Sequence, residues 1–277
     1  MLSIAQITDL HISSNKYPKL HARNIARLKA VLESIEARKP RPVAIIASGD
    51  LTDHGEVQEY RELDALLRGV SVPVHFGLGN HDRRAPFREC FPRTPSDPSG
   101  FVQYTANAGA LKIIICDTLD EGRDGAAFCT ERASWLRATL AAHADAPTLV
   151  ALHHPPVPSG IGWMDPEPGA SWLAQLESAL AGQHQVLSLI CGHVHRAFSG
   201  TFAGRRVTVS TATAPQLALD LSPMDIDVPD GRAIAVDEPP GYALHVWDGK
   251  NLVTHSCVVG DFKPVFLFKA PFLAGNA

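Results

Sequence analysis

The sequence contains a short apolar run that leads directly into a carboxylate. Residues 43–47, Val-Ala-Ile-Ile-Ala, show no polar alternation, and Ser48 and Gly49 then turn the chain into Asp50. Such runs are typical of buried strands in a parallel sheet. Ligands of open α/β sheets bind beyond the carboxyl ends of the strands, so Asp50 lies where chemistry is expected. A single aspartate after a strand is more often a turn or helix-capping residue, so the interpretation depends on the rest of the chain.

Four further apolar runs end in the same way. They are followed by Asp9 and His11, by Asn80, by His153, and by His193 and His195. A segment with a 3.6-residue period predicts a helix near residues 25–35. Further helices are predicted near residues 57–67, where a polar segment is closed by Gly69, and near 131–142 and 170–181. This alternation of strands and helices indicates an α/β protein in which the side chains named above collect at one edge of a sheet.

Turn and capping signals predict several further features. Residues 200–212 are interpreted as a hairpin with its turn at 203–206, and residues 242–259 as paired strands around a turn at 248–250. Residues 92–100, rich in proline and serine, predict a surface loop. Thr130 is interpreted as a helix N-cap, Asp53 as a second helix cap, and Asp117 as a structural residue.

The seven side chains at the strand ends offer oxygen and imidazole nitrogen ligands. This mixture suits Mn, Fe, Zn or Co better than Ca or Mg, and the absence of thiolates argues against a structural zinc site. Seven ligands are too many for one tetrahedral ion. If Asp50 bridges two ions, the ligands form two sets of four: Asp9, His11, Asp50 and His195, and Asp50, Asn80, His153 and His193. Two ions roughly 3.5–4 Å apart with a bridging hydroxide are suited to in-line attack on phosphorus.

Composition argues against several classes of partner. The formal net charge is -4 over 277 residues, which offers no basic surface for a nucleic-acid polymer. No stretch approaches the roughly 20 apolar residues of a transmembrane segment, and we expect no signal peptide because the first strand lacks a basic segment and a cleavage site. Five scattered cysteines without a CxxC pair fit reduced thiols, so we expect a cytoplasmic location.

The strand ends also form five sequence blocks in a characteristic order. They are Asp-Leu-His at 9–11, Gly-Asp at 49–50, Gly-Asn-His-Asp at 79–82, His-His-Pro at 153–155 and Gly-His-Val-His at 192–195. Over about residues 1–214 the chain resembles the calcineurin-like metallophosphoesterases, and within them the bacterial class III cyclic-nucleotide phosphodiesterases and glycerophosphodiesterases. The resemblance implies a four-layer αββα sandwich with two metal ions at the strand ends. Mn or Fe is expected, with Zn or Co as alternatives.

The resemblance also implies roles beyond the metal ligands. His81 would bind phosphate beside the metals and help the leaving group depart, and Asp82 would orient His81. The His-x-Pro pattern makes His153 the ligand, while His154 would line the pocket or orient it. The implied activity is metal-dependent hydrolysis of a small phosphodiester, either a 3',5'-cyclic nucleotide such as cAMP or a glycerophosphodiester. The alternatives are a phosphomonoesterase of the same fold and a non-catalytic metal-binding scaffold.

The chain is interpreted as a catalytic core over residues 1–214 and a C-terminal extension over residues 215–277. Residues 215–240 are acidic and rich in proline, which predicts an excursion from the core. The last 20 residues include Phe262, Phe266, Phe268 and Phe272 and are more apolar than a free tail. We expect the extension to pack on the core or to form a contact in a homodimer or larger oligomer.

Overall fold

The computed structural model describes residues 1–13, 17–225 and 227–267. Its helices are α1 (Pro18–Glu36), α2 (Val57–Leu67), α3 (Arg84–Cys90), α4 (Thr130–Ala142) and α5 (Ser171–Leu180), with a 3-10 turn at Gly162–Met164. Its strands are β1 (Leu2–Ile7), β2 (Ala44–Ser48), β3 (Val74–Gly77), β4 (Tyr104–Ala108), β5 (Leu111–Ile115), β6 (Thr148–Ala151), β7 (Val186–Cys191), β8 (Phe198–Phe202), β9 (Arg205–Val209), β10 (Gln216–Leu217), β11 (Ala235–Val236), β12 (Gly241–Trp247) and β13 (Leu252–Val258).

Two mixed sheets carry the strand ends that were singled out in the sequence. The first sheet has the order β13-β12-β1-β2-β3, with β1, β2 and β3 parallel. The second has the order β4-β5-β6-β7-β9-β8, with β5, β6, β7 and β9 parallel. Because parallel strands present their carboxyl ends at the same edge, the loops after β1, β2, β3, β6 and β7 are available to build one site.

The side chains of the second sheet show how the layers stack. Ile113 and Ile115 of β5 belong to a core that also contains the first sheet and residues of α1, α2 and α3. The alternate residues Ile114 and Cys116 belong to a second core with α4 and α5. Since successive side chains of a strand point to opposite faces, the second sheet lies between the first sheet and the α4–α5 layer. The predicted α/β class and the four-layer αββα arrangement are confirmed.

The secondary structure agrees with most of the sequence patterns. The helix at 57–67, the strand at 186–191 and both hairpins form as predicted. Among the described elements, α3, β4, the short β10–β11 pair and the 3-10 turn were not predicted; α3 begins at Arg84, in a stretch without an apolar periodicity. The predicted capping residues were wrong. Cys129 occupies the N-cap position of α4, and Glu56 that of α2, where it forms a capping box with Glu59.

The C-terminal region contributes two strands to the first sheet. β12 pairs antiparallel with β1, and β13 pairs with β12. Between residues 215 and 240 the chain leaves the sheet, and the described part of this stretch forms the short β10–β11 pair as its only strands. Phe262 and Phe266 are exposed, and the predicted contacts of Phe268 and Phe272 lie outside the described residues. The division of the chain at residue 214 stays a prediction.

Two further sequence-based expectations concern membrane-spanning segments and the state of the cysteines. No described helix combines the length and the apolar character that crossing a bilayer requires. All five cysteines are free thiols.

His245 on β12 is a buried histidine that is satisfied by neutral partners. Its Nδ1 lies 2.9 Å from Thr254 Oγ1 and its Nε2 lies 3.1 Å from Gln6 Oε1. Burial lowers the pKa of His245 to about 4. The ring is therefore neutral in the folded protein at a pH where an unfolded histidine, with its pKa near 6.5, binds a proton.

We expect this histidine to make the metal-free protein less stable in mild acid. As the pH falls from about 6.5 to about 4, the unfolded chain gains a proton that the folded chain does not bind, so stability is lost over this window. The loss attributable to His245 is about 3 kcal/mol. Chemical denaturation across this range should show a shallower decline for His245→Gln than for the wild type. The same substitution at the exposed His255 is the control, and equal slopes in both variants would contradict the assignment.

Candidate metal centre

The backbone that presents the strand-end side chains is strained. Asp9, His11, Asp50, His193 and His195 all have positive φ angles, between 45° and 72°. Among the described non-glycine residues only Ala203, in the β8–β9 turn, shares this conformation. Left-handed conformations are unfavourable for L-residues and persist where the surrounding structure imposes them, commonly at functional sites.

Neighbouring glycines let the strand-end loops approach one another closely. A Cβ at Gly79 would collide with Asp50 Oδ1, and a Cβ at Gly49 would lie 2.7 Å from His153 Cγ. Gly49 also has a φ of 109°, which is accessible to glycine without strain. The Gly-Asp and Gly-Asn-His-Asp blocks therefore need their glycines for steric reasons.

Four of the predicted ligands form one compact group. Asp9, His11, Asp50 and His195 each place one ligand atom within 4.8 Å of the others. Nε2 of His11 lies 3.6 Å from Asp50 Oδ2, and Nε2 of His195 lies 3.6 Å from Asp9 Oδ1. This group is the first predicted ligand set.

The two imidazoles of this group face each other through their Nε2 atoms, 3.0 Å apart. Nδ1 of His195 donates a hydrogen bond to the Pro215 carbonyl (2.8 Å), and Nδ1 of His11 donates to Asp53 Oδ1 (3.1 Å). In the neutral rings both Nε2 atoms therefore carry lone pairs, which repel at this distance. A positive charge is needed between them: a proton in the metal-free protein or a metal ion in the loaded one. The donor set thus fits a metal ion.

The remaining ligands lie on the other side of Asp50. Nδ1 of His153 donates to the Ser48 carbonyl at 3.0 Å, which leaves its buried Nε2 without a hydrogen-bond partner, 3.3 Å from Asp50 Oδ2. Nδ1 of His193 lies 3.1 Å from Asn80 Oδ1. Because Oδ2 of Asp50 lies within 3.6 Å of both His11 and His153, this carboxylate is positioned between the two groups.

The charges of the site are strongly coupled. Burial raises the pKa of Asp50, but His153, His11 and His81 outweigh this effect and hold it well below its usual range. Burial lowers the pKa of His153, but Asp50 and Asp9 reverse the shift and raise it to about 9. Both shifts show that the buried carboxylates favour positive charge at this place.

His154 has a different environment from His153. Its Nδ1 lies 2.8 Å from the Thr118 hydroxyl, which can donate to it, and its Nε2 donates to the Asp124 carbonyl at 3.2 Å. Both ring nitrogens are thus engaged, although the ring lies near His153 and His193. Burial, followed by the charges of His193 and His153, lowers the pKa of His154 well below 6.5. His154 connects β6 to the segment at 118–124 that borders the site.

His81 is held at the edge of the centre by its backbone and by one ring nitrogen. Its amide donates to Asp50 Oδ1 at 2.9 Å, and its Nδ1 donates to the Asp53 carbonyl at 2.9 Å. Nε2 is thereby left with a lone pair, and the side chain, 38% exposed, borders a cavity. The Asp53 carboxylate lies 3.1 Å from His11 and 3.9 Å from His81. This role of Asp53 was not predicted; its position three residues after Asp50 in the same loop was the available signal.

The expectation that Asp82 orients His81 is corrected by the structure. The buried carboxylate of Asp82 accepts hydrogen bonds from the amides of Leu51 (3.2 Å) and Gly79 (2.9 Å) and from the Tyr60 hydroxyl (2.9 Å). It also accepts from the amide and hydroxyl of Thr52. Asp82 therefore joins the loop after β2 to the loop after β3, and so fixes the relative positions of the ligands on them.

We expect Asp82→Ala to destabilise the metal-free protein by at least about 3 kcal/mol, because several buried donors lose their acceptor together. Tyr60→Phe removes one of these donors and should cost only about 1 kcal/mol. Urea denaturation of both variants measures the two values. Equal losses in the two variants would show that Asp82 is not the point at which the loops are joined.

A cavity of about 730 Å³ opens onto the centre. Its inner end is formed by His11, Asp50, Asn80, His81, His154, His193 and His195, and its outer end by the segments at 124–126 and 163–167 with Pro155, Ala170, Trp172 and Leu217. None of the described lysines and arginines lines it. Arg84 is paired with Asp117, whose structural role fits the expectation, and Arg196 is paired with Glu238.

An αββα fold with a metal-type donor set at its strand ends defines a metal-dependent phosphoesterase. The chain belongs to the calcineurin-like phosphoesterase family, whose model matches residues 2–197. The family assignment from the sequence blocks is thereby confirmed.

Two related proteins align with most of the chain. A protein named probable cyclic nucleotide phosphodiesterase from Rhodopseudomonas palustris is 34% identical over 247 residues, 87% of this chain and 86% of its own length. A protein named probable glycerophosphodiester phosphodiesterase from Arcobacter nitrofigilis is 31% identical over 272 residues, 96% of each chain.

Solved structures show the same fold at lower identity. A purple acid phosphatase from yellow lupin (Lupinus luteus) superposes with a TM-score of 0.63 over 92% of this chain and 51% of its own, at 15% identity.

Proposed function

We propose that this protein is a di-metal phosphodiesterase that hydrolyses a small phosphodiester, either a 3',5'-cyclic nucleotide or a glycerophosphodiester. The observation that carries the proposal is the position of Asp50, whose carboxylate lies between two groups of imidazole ligands. The names of the two relatives support a diester as the substrate.

In this proposal the two ions share Asp50, and each has three further ligands. Asp9, His11, Asp50 and His195 hold one ion, and Asp50, Asn80, His153 and His193 hold the other. Oxygen and imidazole ligands without thiolates favour Mn or Fe, with Zn or Co as alternatives. When bound, the two ions supply positive charge for the phosphate and lower the pKa of a water molecule.

The protein's own side chains position the reactants and move a proton. Asp53 fixes the His11 ring so that Nε2 faces the centre. The Asp53 carbonyl fixes His81 so that Nε2 is the nitrogen free to interact with substrate. His81 in its protonated form binds the phosphate and gives a proton to the departing alkoxide, which is a poor leaving group without it.

The two alternative functions have less support. Enzymes that act on dianionic monoesters commonly use Arg or Lys side chains to bind the second negative charge of the phosphate. In this protein the described arginines and lysines lie outside the cavity lining. A non-catalytic scaffold would tolerate losing ligands, whereas all seven predicted ligand positions are filled by residues that bind metals.

We expect the Mn-loaded protein to prefer diesters to monoesters. No described lysine or arginine lines the cavity to bind a second negative charge, so a singly charged phosphate fits it better than a doubly charged one. Its kcat/KM for bis(p-nitrophenyl) phosphate should exceed that for p-nitrophenyl phosphate at neutral pH. The opposite order with two different metals would make the protein a monoesterase, and turnover of neither substrate by metal-loaded protein would favour the scaffold.

Two further parts of the proposal concern the whole molecule. We infer that the protein acts in the cytoplasm, since its cysteines are free. Residues 215–277 form an extension whose strands β12 and β13 join the first sheet of the core, and the exposed Phe262 and Phe266 are available for a contact in a homodimer or larger oligomer.

A further inference from the structure

The outer end of the catalytic cavity differs in chemistry from its metal end. Pro155, Trp163, Met164, Ala170 and Trp172 line it with apolar surface. A cavity of about 730 Å³ is the size of a pocket for a drug-sized ligand. A phosphate at the metal end would leave most of this space for a second, largely apolar group of the same substrate.

Trp163 is the aromatic residue most available to that group. It is 38% exposed, whereas Trp172 is only 6% exposed and belongs to the core between the second sheet and α5. Within the described ranges, the Trp163 ring has no stacking partner among the aromatic contacts of the protein. An indole face left open beside a catalytic centre is suited to stacking with a planar group.

The segment that carries Trp163 is rigidly held. The Asp165 carboxylate accepts hydrogen bonds from the Ser159 amide and hydroxyl, both at 2.6 Å, and from the Gly160 amide at 3.0 Å. Ile161, two residues before the tryptophan, is buried. A fixed aromatic face binds a planar ligand with a smaller loss of side-chain entropy than a mobile one.

The charges at the outer end restrict the second group further. Asp124 and Glu167 line the cavity there, while none of the described lysines and arginines does. A second phosphate would therefore be repelled. A neutral planar group with amino donors can stack on the indole and donate hydrogen bonds to the carboxylates.

We propose that the outer end of the cavity is a nucleobase subsite, with Trp163 as the stacking residue and an adenine-type base as the ligand. The inference rests on the proposed phosphodiesterase function and narrows its substrate to a nucleoside 3',5'-cyclic monophosphate. The phosphate of such a substrate lies at the metal end, and its base, which carries an exocyclic amino group, stacks on Trp163.

The test compares 3',5'-cAMP with glycerophosphocholine, a diester without a base, on Mn-loaded protein. Trp163→Leu should lower kcat/KM for cAMP roughly 10- to 100-fold, mainly by raising KM, the range expected for loss of one stacked base. The loss should be at least about tenfold larger for cAMP than for glycerophosphocholine. Trp163→Phe retains a stacking face and should recover most of the cAMP activity. Leu219→Ala, an exposed apolar residue outside the cavity lining, is the control that leaves both substrates unchanged.

Three results would contradict the proposal of a nucleobase subsite. They are an unchanged KM for cAMP in Trp163→Leu, an equal or larger loss for glycerophosphocholine, and a failure of the wild type to hydrolyse cAMP. The second result would instead assign the indole to a quaternary ammonium group through cation–π interaction. Hydrolysis of bis(p-nitrophenyl) phosphate by the wild type is measured in parallel. Its absence would reject the phosphodiesterase function, whereas its presence together with any of the three results rejects only the nucleobase subsite.

Discussion

Asp50→Ala is expected to abolish phosphodiester turnover and to leave fewer than two metal ions per chain. Oδ2 of Asp50 lies within 3.6 Å of both His11 and His153, so the substitution removes a charged ligand from each ion at once. It also removes the main charge that raises the pKa of His153, and protonated imidazoles bind metals poorly. Metal content by elemental analysis and turnover of bis(p-nitrophenyl) phosphate are the measurements.

Two further variants make this experiment more specific. Asp50→Asn preserves the shape of the side chain and isolates the contribution of its charge. Asp9→Ala affects a carboxylate that lies with His11 and His195 and should chiefly remove one ion. If Asp50→Ala retained two tightly bound ions and near-normal activity, Asp50 would not be the shared ligand.

His81→Ala is expected to keep both ions and to lose turnover by roughly 10²- to 10⁴-fold, the usual effect of removing a general acid. Its Nδ1 is fixed by the Asp53 carbonyl, so Nε2 is the atom available to the leaving oxygen. The loss should be smaller for p-nitrophenol, a good leaving group that needs little protonation, than for an alkoxide. Rates for a series of diesters with leaving groups of different pKa measure this dependence.

The control for His81 is a nearby histidine with another partner. His54 is similarly exposed but lies 3.0 Å from Glu59 at the start of α2, and His54→Ala should leave the leaving-group dependence intact. A loss in His81→Ala that is equal for good and poor leaving groups would limit His81 to binding phosphate.

The positions of the metal-type side chains were predictable because each follows a short apolar strand. Parallel strands present their carboxyl ends at the same edge of a sheet, which brings together the loops after β1, β2 and β3 in one sheet and those after β6 and β7 in the other. The number of ligands, with Asp50 shared by two ions, supplied the division into two ligand sets. One of these, Asp9 with His11, Asp50 and His195, is the compact group found in the structure.

The hydrogen bonds that hold the ligand-bearing loops in place could not be predicted, because they depend on how two loops pack against each other. Asp82 follows His81 in sequence, yet its carboxylate points to the amides of Leu51 and Gly79, and the Asp53 carbonyl binds the ring instead. β4 was missed because its sequence, Tyr-Thr-Ala-Asn-Ala, has little apolar character. The pairing of β12 with β1 joins residues about 240 positions apart, and no local pattern specifies such a partner.

The left-handed backbone at Asp9, His11, Asp50, His193 and His195 sets a limit on how this protein can be stabilised. Each such residue costs roughly 1–2 kcal/mol, and glycine is the residue that relieves this cost. Glycine has no side chain to bind a metal, so at these five positions the residue that relieves the backbone cost also removes a ligand of the catalytic centre. The backbone cost is therefore retained as a condition of function, and stabilising substitutions have to be sought elsewhere in the chain.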